Sequence, residues 1–264
     1  MTEAVKIDKQ EELIRRLFTM GAHLGFSRRR RHPSVDKFIY GYKNNTAVID
    51  LEKTVSSLDR ACEFMARLGR ERSTIIFVGN KPEARLAIKK AAASINMPYV
   101  AYRWIGGTLT NFKQIKSRID RLHWLKEAES TGELAKYKKK ERLVLAKERD
   151  DLERYFEGIY DLTALPKALF VVDAKAEDIA VAEARLLNIP VVTLSSSDCD
   201  IRGIDYPIIG NDTARDAVAF MADTLATAYR EGLKTASPVE ENTTDKKPED
   251  RPAAETTRPA VAKL

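Results

Sequence analysis

The sequence predicts an α/β protein: a parallel sheet with helices on both faces, three layers in all, and a helical hairpin inserted between two of the strands. Three observations carry that prediction. Apolar runs of strand length, such as Ile75–Val78 and Ala168–Val172, are continuous rather than alternating, as strands buried on both faces read. Amphipathic helical segments alternate with those runs. One stretch, 111–156, loses the strand signal and keeps only apolar spacings of three and four.

In chain order, residues 10–20 predict a short amphipathic helix with Leu13, Ile14, Leu17 and Phe18 on one face, broken by Gly21 and Gly25. A basic loop follows, from Arg28 to Pro33. Phe38–Tyr40 and Ala47–Ile49 read as two short strands of a hairpin around Lys43-Asn44-Asn45. Asp50 is placed to cap a helix over 51–69, with Leu51, Val55, Leu58, Cys62, Met65 and Ala66 as its buried stripe. The strand at 74–79 leads to a helix over 82–95 with Pro82 in its first turn. A strand at 98–102 comes next.

Phe112, Ile115, Ile119 and Leu122, then Leu145, Leu152 and Phe156, mark two long antiparallel helices that break near Ser130-Thr131-Gly132. Their narrow seam predicts an arm that projects from the domain. The α/β pattern resumes with a strand at 168–173, a helix over 176–187, strands at 190–194 and 206–209, and a final helix to about residue 230 capped by Asn211 or Asp212. The sheet domain is therefore expected over 1–110 and 157–234, and the hairpin over 111–156. The segment 235–264, rich in Pro, Glu, Thr, Asp and Lys, is expected to be disordered because it has little apolar surface to bury.

Hydrophobic residues make up 44% of the chain, enough for a core, while charged residues reach 32%, above the usual quarter. The net charge of +6 is unevenly spread. The segments 28–43 and 103–154 each carry a net +5, so the rest of the chain carries −4. Two local positive segments suit docking on a polyanion better than general solubility. Cys62 and Cys199 are far apart and form no metal or redox spacing, which points to a reducing cytosol. No apolar run approaches the roughly 20 residues of a membrane span, and the N-terminus lacks a signal-peptide pattern.

An enzyme on an open parallel sheet carries its chemistry at the carboxyl ends of the strands. No glycine-rich dinucleotide loop or phosphate-binding P-loop motif stands there, and Gly79-Asn80-Lys81 is too short to wrap a phosphate. None of His23, His32 and His123 is paired for acid–base work. Asp198 and Asp200 around Cys199 read as turn-forming acids, because no third metal ligand is nearby in sequence. No cofactor, metal or small-molecule substrate is expected. A small-molecule enzyme on the same fold is the alternative, and it rests only on the strand-end loops.

The positive signals concern RNA. Arg28, Arg29, Arg30, Arg31 and His32 line up before Pro33, with Lys37 and Lys43 following; four consecutive arginines repel one another unless an anion meets them. The second segment, Arg103, Trp104, Gly106, Gly107, Thr108, Thr110, Asn111 and Lys113, offers close backbone approach, short polar groups and a flat ring. It fits equally a tight strand-to-helix elbow with Trp104 in the core. Lys136, Lys138, Lys139 and Lys140, with Arg142, form a third cluster that is either a solvated face or an RNA contact at the end of the arm.

Taken together, Gly21-Ala22-His23-Leu24-Gly25, Tyr40-Gly41, Ile49-Asp50-Leu51-Glu52-Lys53-Thr54, Phe77–Lys81, Tyr102–Asn111, Pro166–Asp173, Asn188–Val191 and Gly210-Asn211-Asp212 resemble the bacterial small-subunit ribosomal protein two family, in order and over about residues 10–232. The resemblance implies a flavodoxin-like three-layer sandwich with a five-stranded parallel sheet and an inserted helical hairpin. It implies a structural, non-enzymatic role in the cytoplasmic ribosome, with late binding near the head–body junction. The implied partners are small-subunit rRNA, ribosomal protein one, which helps recruit mRNA, and neighbouring small-subunit proteins. The chain departs from the family pattern at Phe26, where a polar residue or histidine is common. It departs again over Ser195–Asp200, where an Asp-Thr-Asn run and a proline are common.

Overall fold

The structure is a computed structural model that describes residues 3–236, so the expected tail lies outside the described residues from 237 onward. Helix α1 (Glu3–Thr19) starts earlier than its apolar face predicts, and buries Leu17 completely. Strand β1 (Leu24–Ser27) occupies part of what reads as a turn. Four residues with a glycine among them are too short to show alternation, and it is the pairing with a later strand that defines this one. A 3-10 turn (Pro33–Phe38) leads into the expected hairpin, β2 (Ile39–Lys43) and β3 (Thr46–Ile49), whose turn residues Asn44 and Asn45 both hold positive φ. These strands form a small antiparallel sheet in the order β1-β3-β2.

Helix α2 (Leu51–Arg70) opens as its sequence dictates: Asp50 Oδ1 accepts hydrogen bonds from the backbone N–H groups of Glu52 (3.1 Å) and Lys53 (3.4 Å). Then come β4 (Ile75–Val78), α3 (Pro82–Ala93) and β5 (Tyr99–Val100). Strand β5 is shorter than predicted because the backbone leaves the sheet's edge at Ala101 to enter the Arg103–Asn111 loop. The inserted helices are α4 (Phe112–Ser130) and α5 (Lys139–Phe156). The last elements are β6 (Ala168–Val172), α6 (Asp178–Leu186), β7 (Val191–Ser195), β8 (Tyr206–Ile209) and α7 (Arg215–Lys234). Neither Asn211 nor Asp212 is the N-cap of α7; Ala214 is. Asn211 instead shapes the turn before it, its Oδ1 accepting from Thr213 N–H (3.0 Å) and Ala214 N–H (3.3 Å).

The main sheet is parallel throughout, ordered β5-β4-β6-β7-β8. Renumbered within that sheet, this is the flavodoxin-like order 2-1-3-4-5, with the switch point between β4 and β6. The period-two geometry of its strands divides the core. Ile75, Phe77, Phe170 and Leu194 face one side, against α2, α3 and α7. Ile76, Val78, Leu169 and Val171 face the other, against α4, α5 and α6. Phe77 and Phe170, cross-strand partners, meet edge to face at 5.4 Å.

That second core corrects the expectation of a wholly projecting arm. Ile115, Ile119, Leu122 and Leu125 of α4 are buried in the same apolar cluster as the sheet. The seam is narrow, yet it roots the hairpin in the domain, and the exposed part is the distal end, residues 136–144.

Candidate RNA interface

The arginine loop is built from the sheet outward. The β1–β3–β2 sheet packs against the carboxyl edge of the main sheet: Phe26 N–H donates to Ser197 Oγ (2.8 Å), and His32 N–H to the Ser197 carbonyl (2.9 Å). The loop is thus clamped at both ends, and Arg28, Arg29 and Arg30 between the clamps are exposed. Arg28 lies over the Tyr42 ring, 5.0 Å from its centroid, and Arg30 over Phe26 at 5.8 Å. Only Arg31 of the four is ion-paired among the described residues, to Asp36 at 2.7 Å, and its Nη1 donates to Tyr42 Oη at 3.1 Å. Lys37 and Lys43 are exposed on the same small subdomain, Lys37 above the Phe38 ring.

His32 has a structural role through its Nδ1. Its half-buried ring caps the 3-10 turn, with Nδ1 2.8 Å from Ser34 Oγ and accepting from Ser34 N–H. Asp200 Oδ1 lies 3.7 Å from the same nitrogen. Hydrogen bonds from Arg202 hold Asp200 well below the usual carboxylate range.

The Arg103–Asn111 loop resolves as the elbow. Trp104 and Thr108 are buried and do not present a stacking face or a free hydroxyl; Thr108 Oγ1 donates to the Ile105 carbonyl at 2.6 Å. The loop is wrapped round Glu183 of α6. One carboxylate oxygen accepts from Trp104 Nε1 (3.2 Å) and Gly107 N–H (2.7 Å). The other accepts from Leu109 N–H (3.0 Å), Thr110 N–H (3.1 Å) and Thr110 Oγ1 (3.1 Å). Burial alone would raise this carboxyl's pKa, but the five donors outweigh it and the group stays below its ordinary value. Gly107, at φ +93°, is the position where the wrap needs a glycine. Arg103, Gly106, Thr110, Asn111 and Lys113 remain on the surface. Glu183 is absent from the expected site residues. The signal that would have found it is an acid between Ala180 and Ala184 on the helix face that is buried.

Lys136, Lys138, Lys139 and Lys140 are exposed at the distal end of the hairpin. Lys136 lies 3.7 Å from Glu133, and Lys138 N–H donates to Glu141 Oε2 at the start of α5.

At the switch point, where a flavodoxin-like enzyme holds its ligand, the chain has filled the space itself. The Lys81 ammonium lies 2.6 Å from Asp173 Oδ2 and 2.9 Å from Asp212 Oδ2. Asp173, Cys199 and Asp212 each place a potential ligand atom within 4.8 Å of the others, but the cation that bridges the two carboxylates is Lys81. Cys199 is buried, its Sγ donating to Asp173 Oδ1 at 3.3 Å, and burial pushes its thiol up to about 12. Asp212 is fully buried with Oδ1 lacking a protein partner, and burial pushes it up to about 6 against the pull of Lys81. Burial lifts Glu177 beside them to about 7 despite the hydrogen bond it accepts from Asn80 N–H.

Comparison with known proteins agrees with this architecture. The family model described as Ribosomal protein S2 matches residues 17–232. The chain is 41% identical over 224 residues to the small ribosomal subunit protein uS2 of Mycobacteroides abscessus, covering 85% of this chain and 81% of the relative. It is 41% identical over 240 residues to the protein of the same name from Acidothermus cellulolyticus, covering 90% and 86%. With Mycolicibacterium vanbaalenii uS2 the identity is 41% over 221 residues, covering 84% and 81%. Matched over nearly all of its sheet, hairpin and final helix, the chain belongs to the ribosomal protein S2 family, which is a family of ribosomal proteins and not of enzymes.

Proposed function

We propose that this chain is a structural component of the small ribosomal subunit that holds rRNA phosphates on its arginine loop. The observation that carries the reading is the state of Arg28, Arg29 and Arg30: three adjacent exposed guanidinium groups, without a carboxylate partner among the described residues, on a loop whose ends are hydrogen-bonded to Ser197, just after β7. Such a group exacts a cost in self-repulsion that an anionic partner relieves. Lys37, Lys43, Arg103, Lys113 and the hairpin cluster Lys136, Lys138, Lys139 and Lys140 extend the positive surface.

The filled switch point supports the same reading over an enzymatic one, because ligand entry there would first have to break the Lys81 ion pairs. Placement near the head–body junction, residence in the cytoplasm and contact with ribosomal protein one follow from the family resemblance, and belong to this proposal.

The test is occupancy of small subunits by a variant carrying Arg28→Ala, Arg29→Ala and Arg30→Ala, measured by sedimentation across a salt series. Reduced occupancy with a flatter salt dependence is expected, since each phosphate contact releases counterions with a slope of about −0.9 on duplex DNA and a similar order on structured RNA. Equal occupancy at every salt concentration would remove the loop from the interface.

A further inference from the structure

Strand β2 contains an irregularity with a consequence at the surface. Ile39 is opposite Ile49, but Gly41 is opposite Val48, so Tyr40 is an extra residue in the ladder. A bulge of this kind re-aims one side chain. Here the re-aimed side chain is a tyrosine 82% exposed, the most solvent-exposed large apolar residue described in the chain. Its neighbour Gly41 has open space where a Cβ would stand.

The surroundings are cationic. Two residues along the strand, Tyr42 has Arg28 over its ring at 5.0 Å and Arg31 bonded to its hydroxyl, and Lys43 follows directly. Lys37 precedes on the 3-10 turn. The one carboxylate between Arg28 and Lys43, that of Asp36, is already taken by Arg31. A flat ring standing clear of the surface, two residues along the strand from a tyrosine that carries two arginines, matches the two halves of a nucleotide. Single-stranded nucleic acid is bound by that pairing of a stacking face for the base and a positive track for the backbone.

We propose that Tyr40 is a stacking platform for one unpaired nucleobase of the RNA whose phosphates the arginine loop and Lys43 hold. The proposal rests on the RNA-binding reading above and adds to it the class of RNA recognised: a bulged, looped or terminal nucleotide rather than continuous duplex. It also makes Tyr40 a separable contributor. Stacking is insensitive to counterion release, whereas the arginines act through it.

The experiment uses the full chain and small-subunit particles assembled without it. Tyr40→Ala is expected to weaken binding about tenfold, the scale of one base–aromatic stack, with the salt slope unchanged. Tyr40→Trp, which enlarges the face, is expected to bind at least as well as the parent. Ultraviolet cross-linking of the parent in the particle, followed by peptide mapping, should give a nucleotide adduct on Tyr40. If Tyr40→Ala binds like the parent while the triple arginine variant is weakened, the platform is refuted and the RNA reading stands. If both variants bind like the parent, both fall. A Tyr40 cross-linked to a neighbouring protein in place of RNA would also overturn the platform. Because the ring is exposed, the melting temperature of Tyr40→Ala should match the parent's; a marked drop would mean a structural role and overturn the proposal too.

Discussion

Glu183 accepts a hydrogen bond from Trp104 Nε1 at 3.2 Å and thereby anchors, from a different helix, the loop that connects β5 to α4. Four further donors from Gly107, Leu109 and Thr110 complete the shell. Replacing this carboxylate with the amide in Glu183→Gln puts an N–H₂ group against backbone donors. We expect a loss of about 2–4 kcal/mol, since bonds to a charged acceptor are worth more than neutral ones and orphaned buried donors add their own cost. Urea unfolding followed by near-ultraviolet circular dichroism, in a Trp124→Phe background so that Trp104 is the reporter, checks it. A variant as stable as the parent would show that the loop holds itself.

The same carboxyl contributes a pH dependence of known sign. Its folded pKa lies below the ordinary value, so its stabilisation is present above about pH 4.5 and is lost as pH falls through the folded pKa. Glu177 acts in the opposite sense. Burial lifts it to about 7, so the folded chain retains a proton there that the unfolded chain releases between about pH 4.5 and 7. Its contribution therefore declines as pH rises through that window. Glu177→Gln, which can still accept from Asn80 N–H, should gain on the order of 1–3 kcal/mol at pH 8 relative to the parent. Its stability should also vary less between pH 5 and 7, with the raised carboxyl of Asp212 leaving a residual slope. Thermal melts across pH decide this, and a variant less stable than the parent at pH 8 would contradict it.

Helices α2 and α7 touch backbone to backbone at two reciprocal glycines. A Cβ on Gly69 would stand 2.2 Å from the Tyr229 carbonyl oxygen, and one on Gly232 would stand 2.1 Å from that of Ala66. Neither neighbour is a flexible side-chain tip, so Gly69→Ala and Gly232→Ala each have to separate the helices. A cost of about 1–3 kcal/mol per substitution is expected, in spite of alanine's better helix propensity. Unchanged or raised melting temperatures would show that the helices can slide apart freely.

At the distal end of the hairpin, joint replacement of Lys136, Lys138, Lys139 and Lys140 by Gln should leave the melting temperature unaltered, because all four side chains are exposed. If the patch meets phosphates, the salt slope of subunit binding should fall in this variant as well. A slope equal to the parent's would assign these lysines to a solvated face.

The sheet and the helices were readable because their signals are local. Continuous apolar runs mark β4 and β6, and Asp50 caps α2 where its side chain can reach the backbone two and three residues on. What the sequence hid depends on distant partners. β1 is a strand only through β3, the hairpin is rooted only through contacts with a sheet face, and Trp104 turns inward to that apolar cluster and to Glu183, 79 residues away. The arginine cluster was legible as a run of charge. The Tyr40 bulge was not, since the register shift that exposes the ring exists only between two strands.

The ion-paired lysine at the carboxyl edge also bears on how this chain could be targeted by small compounds. In most sheets of this order the crevice at the switch point is the natural recess for a drug-sized molecule. Here such a molecule would have to evict a bound ammonium and leave two carboxylates desolvated together, which disfavours it from the outset. Inhibitor discovery against this protein is better directed to its outer loops, where a compound competes with a macromolecule for the surface.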